Sequence, residues 1–346
     1  MSNNKDFVVN GPVVIGKDTK VTVGSITSSD IDLATGNYFD DTLAADTTYT
    51  ISNAGDVQAF QLEVTGGASG YDLGSAVYDN VSFSVSGQEG GPQSLFFKPD
   101  GTKMYIVGST GEDILEYNLS TAWDISTASY LRNFVTSSQE NTPQGVFFKP
   151  DGTKMYVSGS GGDEVNEYNL STAWNISTAS FLQLFSVSAQ DTLPKDIFFK
   201  PDGTKMYIVG DAGNDINEYT LSTAWNISTA SYTQNFSVST QDSTPACLFF
   251  KPDGTKMYVG GTTNDDLYEY ALTTAWDIST ASYAQTFILP PTQDNPTGLF
   301  FKDDGIKMYV VSVGGGAVFQ YSTATDTTLT WPSSIEWAGG VAPSAP

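Results

Sequence analysis

The sequence predicts an all-β protein built around a five-bladed β-propeller, and three observations lead to this prediction. The string FFKPDGTKMY begins at Phe96 and returns with a step of 51 residues, the fifth time in the altered form FFKDDGIKMY. A second string, STAW(D/N)ISTAS or its variant TTAWDISTAS, recurs with the same step. A fixed period of about 50 residues is typical of propeller blades, each a four-stranded sheet. The copies of the first string start at Phe96, Phe147, Phe198, Phe249 and Phe300.

Each repeat divides into four short β segments. In the first repeat these are SLFF (94–97), KMYIVG (103–108), DILEYNL (113–119) and SYLRNFVTS (129–137), which we term strands a, b, c and d. The a–b turn, Lys98-Pro99-Asp100-Gly101, has proline at its second position and a glycine that is free to adopt a positive φ. This predicts a type I turn followed by a bulge, which the aspartate stabilises by bonding to its own backbone.

The order of the segments predicts how the ring closes. The first copy of strand d, VYDNVSFSVS (77–86), precedes the first strand a, and the last a–b–c set lies at 297–321. The fifth blade is therefore predicted to be completed by a strand from the N-terminal side, so that closure leaves no exposed sheet edge. The predicted propeller spans 70–324, which is 255 residues, or five times 51.

The chain leaves this ring inside the c–d crossover of the fifth blade. GYDLGSAVY (70–78) matches the second half of the first crossover, AWDISTASY (122–130), and QYSTA (320–324) resembles its first half. The propeller is thus predicted to be inserted into a second domain made of two pieces. The predicted domains are a short β N-terminal anchor or oligomerisation segment at 1–27, a small split β-sandwich-like module at 28–69 plus 325–346, and the propeller at 70–324.

The flanking segments resemble a β-module of tailed-phage fibres and related virion proteins. The matching stretches are DLATGNYF (32–39), TTYTISN (47–53), FQLEVT (60–65) and TLTWPSSIEWAGGVAP (328–343). The resemblance implies a virion structural protein assembled in the host cytoplasm, which agrees with the lack of a signal peptide. It also implies a homo-oligomer, with a trimer favoured. A module of only about 60 residues is marginally stable alone, which independently favours an oligomer.

Composition excludes several functions. The net charge of −24 disfavours nucleic acid and anionic membranes as partners, and no stretch has the ~20 apolar residues of a membrane span. The absence of histidine removes histidine-based catalysis and metal ligation. Strand a is expected to line the channel with only one acid, which is not the carboxylate pair of a glycosidase, so the chain is predicted not to be an enzyme. These channel residues are Ser94, Gly145, Asp196, Cys247 and Gly298.

The b–c and d–a loops lie on one face of the predicted ring and differ between blades, so this face is the candidate binding site. Its acidic residues could coordinate Ca²⁺, which prefers oxygen ligands. The alternative is that they are solvated loop residues, and the acids of the d–a loops could simply cap backbone groups. The candidate ligand-binding residues are Glu112, Asp113, Glu140, Asp163, Glu164, Asp191, Asp211, Asp215, Asp242, Asp265 and Asp266.

The repeated aromatic residues are interpreted as structural. A tryptophan stands at one fixed place in four crossovers, which predicts packing against its blade more than stacking on a sugar. The Asp-Gly turns, near-identical in five copies, are interpreted in the same way. The four tryptophans are Trp123, Trp174, Trp225 and Trp276.

Two hypotheses about function follow. In the first, the protein is a non-enzymatic virion appendage, a tail or head fibre, whose outer propeller face binds a host surface receptor or glycan. In the second, it is a capsid decoration or structural protein that contacts only other virion proteins. Because the opened crossover lies on the lysine-bearing face, the first hypothesis expects the opposite, loop-bearing face to point outward.

Overall fold

The computed structural model describes residues 70–323 throughout and, in the flanks, only the strand residues 30–32, 38–43, 47–48, 50–52, 61–66 and 329–330. The chain divides into two compact units, 70–323 and the two flanks 1–69 and 324–346 together. The predicted anchor, 1–27, and most of the predicted module lie outside the described residues. No helix of the described residues is long and apolar enough to cross a membrane.

The described strands of the flanking unit pair in parallel. One of the three pairs, 47–48 with 329–330, joins the two flanks, since one of its strands precedes the propeller in the chain and the other follows it. The pairs are β1 (Asp30–Asp32) with β4 (Thr50–Ser52), β2 (Tyr38–Leu43) with β5 (Gln61–Gly66), and β3 (Thr47–Thr48) with β26 (Leu329–Thr330).

Residues 70–323 form a five-bladed β-propeller, as predicted, with four antiparallel strands in each blade. Blade 1 contains β7 (Pro92–Phe97), β8 (Lys103–Gly108), β9 (Asp113–Leu119) and β10 (Ala128–Val135). Blade 2 contains β11 (Pro143–Phe148), β12 (Lys154–Gly159), β13 (Glu164–Leu170) and β14 (Ala179–Ser186). Blade 3 contains β15 (Pro194–Phe199), β16 (Lys205–Gly210), β17 (Asp215–Leu221) and β18 (Ala230–Ser237). Blade 4 contains β19 (Pro245–Phe250), β20 (Lys256–Gly261), β21 (Asp266–Leu272) and β22 (Ala281–Ile288).

Blade 5 closes the ring in the predicted way. It contains β23 (Pro296–Phe301), β24 (Lys307–Ser312), β25 (Ala317–Ser322) and, as its strand d, β6 (Val77–Ser84). β6 pairs with β25 in antiparallel register although it precedes blade 1 in the chain. A short 3-10 turn leads into each strand d. These turns are Leu73–Ser75, Ile125–Thr127, Ile176–Thr178, Ile227–Thr229 and Ile278–Thr280.

The a–b turns and the c–d crossovers lie on one face, which we call the lysine face. Gly101 has a φ of 71°, which confirms the predicted glycine-dependent turn, and Asp100 Oδ1 accepts the backbone N–H of Thr102 at 3.0 Å. A Cβ at Gly101 would lie 2.4 Å from the Trp123 indole, so the ring packs directly on the glycine. The structural interpretation of these residues is thereby confirmed.

Each junction between blades is joined by a bond from a tyrosine of one blade to the crossover of the next. At three of the junctions a buried glutamate accepts a second bond. The Tyr105 hydroxyl in blade 1 donates to the carbonyl of Trp174 in the crossover of blade 2 at 2.7 Å. The buried Glu116 pairs with Lys103 of its own blade and accepts the N–H of Ile176 from the next one at 3.4 Å. In blade 5 Tyr71 takes the tryptophan's position, and its carbonyl accepts the hydroxyl of Tyr258.

The axis of the ring is filled with phenylalanine side chains. Neighbouring rings meet edge to face with centroid separations of 5.2–5.6 Å, the geometry that aromatic quadrupoles favour. Such a ring closes the channel with side chains from every blade. Its members, one from each strand a, are Phe96, Phe147, Phe198, Phe249 and Phe300.

Candidate functional site

The b–c and d–a loops lie together on the face opposite the lysine face, and we call this the loop face. Glu89 in the d–a loop before blade 1 shows the local geometry. Its carboxylate accepts backbone N–H bonds from Gly91 at 2.6 Å, Thr110 at 3.1 Å and Gly111 at 2.9 Å. The side chain therefore joins the d–a loop to the b–c loop of the same blade.

Three candidate residues repeat this arrangement. The carboxylates of Glu140, Asp191 and Asp242 are buried and accept backbone N–H groups of their own loop and of the b–c loop. The capping interpretation of the d–a acids is confirmed, because their carboxylates are buried and accept these backbone N–H groups. They cannot also serve as exposed ligands for a receptor.

A glycine at the end of strand b makes room for each of these carboxylates. A Cβ at Gly210 would lie 2.1 Å from Asp191 Oδ2, and one at Gly108 would lie 2.1 Å from Glu89 Oε2. In blade 5 the corresponding residue is Ser312, whose hydroxyl bonds to the backbone oxygen of Asp294. The Asp294 side chain is accordingly only half-buried. The occurrence of a glycine at the end of strand b together with an acid in the d–a loop was the sequence signal that these acids turn inward, and sequence reasoning missed it.

A second set of candidates begins strand c. Asp113 and Asp215 are buried, and Glu164 and Asp266 are half-buried. Burial raises the pKa of all four carboxyl groups, and the neighbouring d–a carboxylate raises each pKa further. Asn133 donates to Asp113 Oδ2 at 2.6 Å, whereas Asp113 Oδ1 has no hydrogen-bond partner.

The remaining candidates are half-exposed turn residues. Glu112, Asp163 and Asp265 have φ values of 53°, 52° and 60°, so they occupy the left-handed position of the b–c turn. Asp211 lies 3.9 Å from the Lys195 ammonium. Among the described residues, no three carboxylates or thiols converge on a common point that could hold a metal.

Small neutral side chains form the tips of the loop face. The acids of the d–a loops do not form these tips, because they turn inward to satisfy backbone N–H groups, whereas the turn acids Glu112, Asp163 and Asp265 stay half-exposed. The exposed tips of the b–c loops are Thr110 and Gly111, Gly161 and Gly162, Ala212 and Gly213, Thr263 and Asn264, and Gly314 and Gly315.

Asp196 is a separate polar feature on the axis. Its carboxyl group is 4% exposed and accepts bonds from Ser94 Oγ at 3.1 Å and from the backbone N–H groups of Ile197 at 3.0 Å and Leu248 at 3.1 Å. Burial outweighs these three donors and raises the pKa of Asp196 to about 7. Asp196 and the phenylalanine ring line a cavity of about 10 Å³, room for about one water molecule.

Comparisons with known proteins relate this chain to others by fold. No family model and no curated protein match the sequence. Among solved structures, a protein of Bacteroides uniformis described as a candidate 6-phosphogluconolactonase is 14% identical, with a TM-score of 0.43 over 66% of this chain and 68% of that one.

Two further structures are similar to the same degree. A protein of Lactobacillus plantarum is 16% identical, with a TM-score of 0.43 over 64% of each chain. The hydrazine synthase of Kuenenia stuttgartiensis is 16% identical, with a TM-score of 0.42 over 68% of this chain and 58% of that one. This chain thus spans 58% to 68% of the length of the three proteins. The likeness concerns the propeller fold and extends to no activity.

Proposed function

We propose that this protein is a non-enzymatic binding protein of a virion appendage, and that the loop face of its propeller contacts a receptor or glycan on the host surface. The observation that carries the proposal is the position of the propeller's two ends. Thr323 at one end bonds through its backbone N–H to Ile306, and Tyr71 near the other end bonds to Gly305. Both ends thus lie on the lysine face, so the chain enters and leaves the propeller on that face.

The chemistry of the loop face supports a contact role. Its exposed tips are small and polar, and they differ from blade to blade, whereas the lysine face repeats the same residues around the ring. Variable loops on a rigid scaffold are where recognition is usually found. Small tips with half-exposed acids beside them suit hydrogen bonding to a glycan or to a protein backbone.

The axis supports a non-enzymatic role. Its acid, Asp196, is fully engaged by three donors, and the cavity beside it holds about one water molecule. A glycosidase would need a second carboxylate about 5–10 Å away in a cleft. Turnover of a lactone or glycoside that is lost in Asp196→Asn would contradict this part of the proposal.

A pair of matched variants tests the receptor role. Ala212 lies at an exposed tip of the loop face in blade 3, and Ala224 is equally exposed on the lysine face of the same blade. The purified full-length protein should compete with virions for adsorption to host cells. We expect Ala212→Arg to weaken this competition and Ala224→Arg to leave it unchanged. Equal effects of the two variants, or no competition by the wild-type protein, would contradict the proposal.

One observation favours the second hypothesis, a structural role within the virion. Strand d of blade 2 exposes Phe181, Leu182 and Leu184, where blade 3 has Tyr232, Thr233 and Asn235. Strand d of the neighbouring blade 1 also exposes Tyr130, Leu131 and Val135. Apolar outer edges on two neighbouring blades are typical of a contact with another protein. Images of particles labelled on this protein would distinguish the roles, since a propeller buried between subunits supports the structural one.

A further inference from the structure

At the start of blade 1, two buried carboxylates face each other on the loop face. Glu89 is 1% exposed and Asp113 is 5% exposed. A Cβ built on Gly111 would lie 3.1 Å from Glu89 Oε2 and 3.0 Å from Asp113 Oδ1. The two oxygens therefore flank one small space beside a residue that has no side chain.

The hydrogen bonds satisfy Glu89 but leave one oxygen of Asp113 without a partner. Glu89 accepts three backbone N–H groups. Asp113 Oδ1 borders the same space next to Gly111 and has no hydrogen-bond partner. A buried carboxylate oxygen without a partner is rare in native proteins and calls for a missing ligand or proton.

No basic side chain neutralises the pair. The ion pairs of the described residues include neither Glu89 nor Asp113. Ten of the chain's 15 basic residues are the paired lysines of the repeated motif, on the opposite face. Any neutralising charge at this junction must therefore come from outside the propeller.

The five blades provide an internal comparison. Blades 2, 3 and 4 carry the same buried acid and the same acid at the start of strand c, as Glu140 with Glu164, Asp191 with Asp215 and Asp242 with Asp266. In blade 5 strand c begins with Ala317, and Asp294 of the preceding loop is only half-buried. The buried acid thus occurs in the blades whose strand c begins with an acid. Of these acids, only Asp113 has a buried oxygen without a hydrogen-bond partner, whereas both oxygens of Asp215 accept amide donors.

We propose that the Glu89–Asp113 pair binds a divalent cation, with Ca²⁺ as the ion of best fit. Calcium accepts six to eight oxygen ligands in flexible geometry, so water and backbone oxygens can complete a site of two carboxylates. The adjacent Thr110 and Gly111 are exposed and leave access for the ion. With two carboxylates per site, affinity belongs to the weak class, with Kd about 10⁻⁴–10⁻³ M. This proposal is independent of the receptor role.

Thermal unfolding of the full-length protein tests the proposal. We expect the Tm in about 10 mM Ca²⁺, roughly ten times the upper Kd, to exceed the Tm in chelator at matched ionic strength by about 3 °C. Asp113→Asn should abolish the Ca²⁺-dependent shift, because it removes one of the two carboxylates that hold the ion. Asp294→Asn, in the blade without the pair, should leave the shift unchanged.

Two outcomes of this experiment would overturn the proposal. The first is a Tm that does not respond to Ca²⁺, which would mean that the pair holds no ion. The second is an equal loss of the shift in both variants, which would mean non-specific screening. If Asp113→Asn does not fold, Tb³⁺ luminescence of the wild-type protein decides. Tb³⁺ emission that is sensitised by tyrosine and lost when Ca²⁺ is added supports the site. The absence of such emission excludes it.

Discussion

Asp196 places one carboxyl group on the propeller axis, where the other blades have Ser94, Gly145, Cys247 and Gly298. A Cβ at Gly145 would lie 2.7 Å from Asp196 Oδ1, so the neighbouring blade leaves just enough room for this side chain. The carboxyl group accepts bonds from residues of blades 1, 3 and 4. It is thus a central link of the ring, and its protonation state affects the stability of the whole propeller.

We expect the contribution of Asp196 to the stability of the propeller to fall as the pH rises, because ionisation places a charge in a buried site. The pKa of Asp196 is about 7 in the folded protein and about 3.9 in the unfolded chain. Because the pKa is higher in the folded protein, Asp196 contributes its full stabilisation below pH ~4. This contribution declines between pH ~4 and ~7 and does not change further above pH ~7. Asp196→Asn cannot ionise. The stability of the wild-type protein relative to this variant should fall by up to about 4 kcal/mol over that range, measured by urea unfolding. A difference that does not change with pH would show that Asp196 is ionised throughout.

The contact between Gly210 and Asp191 gives a second prediction at this scale. We expect Gly210→Ala to destabilise the protein by about 2 kcal/mol, because the new Cβ displaces the carboxylate from its N–H partners. In Asp191→Ala the same Gly210→Ala substitution should cost much less, since no carboxylate remains to be displaced. A double-mutant cycle by urea unfolding measures this coupling. Additive effects would show that the glycine is not needed for the acid.

The crossover between strands c and d is the element that joins each blade to its neighbour. In blade 3 the Trp225 ring lies on Gly203 of the a–b turn and stacks on Phe199 with a centroid separation of 5.4 Å. The Trp225 carbonyl accepts the Tyr156 hydroxyl of blade 2 at 2.7 Å. The backbone here has a φ of 64°, which is unusual for tryptophan. Packing and this inter-blade bond therefore hold the crossover in a left-handed conformation.

We expect Trp225→Ala to lower the free energy of unfolding by about 3–5 kcal/mol, as is typical for truncation of a large aromatic in a packed site. Loss of the ring removes contacts with both the turn and strand a. Chemical denaturation measures the change, and Ala224→Arg serves as an exposed control in the same crossover. A changed ligand affinity with an unchanged Tm would contradict the structural role.

Sequence reasoning predicted the elements of the propeller more fully than the chemistry of its loops. The 51-residue period and Pro99-Asp100-Gly101 depend on local patterns, so the blades, the turn and the closing strand followed from them. The orientation of Glu140 depends on a glycine 19 residues later, Gly159, whose missing side chain makes room for it. A property that depends on the space between two distant residues has no local pattern. For the same reason the bonds of Asp196 across the axis could not be predicted.

At the scale of the whole molecule, the break in blade 5 lies in a crossover whose two halves remain in contact. Ser75 Oγ donates to the carbonyl of Thr323, and Tyr71 packs on Gly305 in the place of a tryptophan. The opened crossover therefore keeps the packing of an aromatic ring on the turn glycine and the bond to the neighbouring tyrosine. A closed ring of five blades is compatible with chain ends that are neighbours.

This proximity determines how the propeller would respond to mechanical force. Tension applied through the two flanks acts on residues 70 and 323, which lie side by side. The force is therefore transmitted across the Ser75–Thr323 contact and does not pass through the other four blades. Rising force would then peel β6 from β25 one hydrogen-bonded pair at a time, the weakest loading geometry for an antiparallel pair. Single-molecule pulling should show blade 5 yielding first. Complete unravelling of residues 70–323 should then release about 90 nm of chain, at about 3.5 Å per residue. At forces too low to open blade 5, the propeller does not lengthen when the chain is pulled.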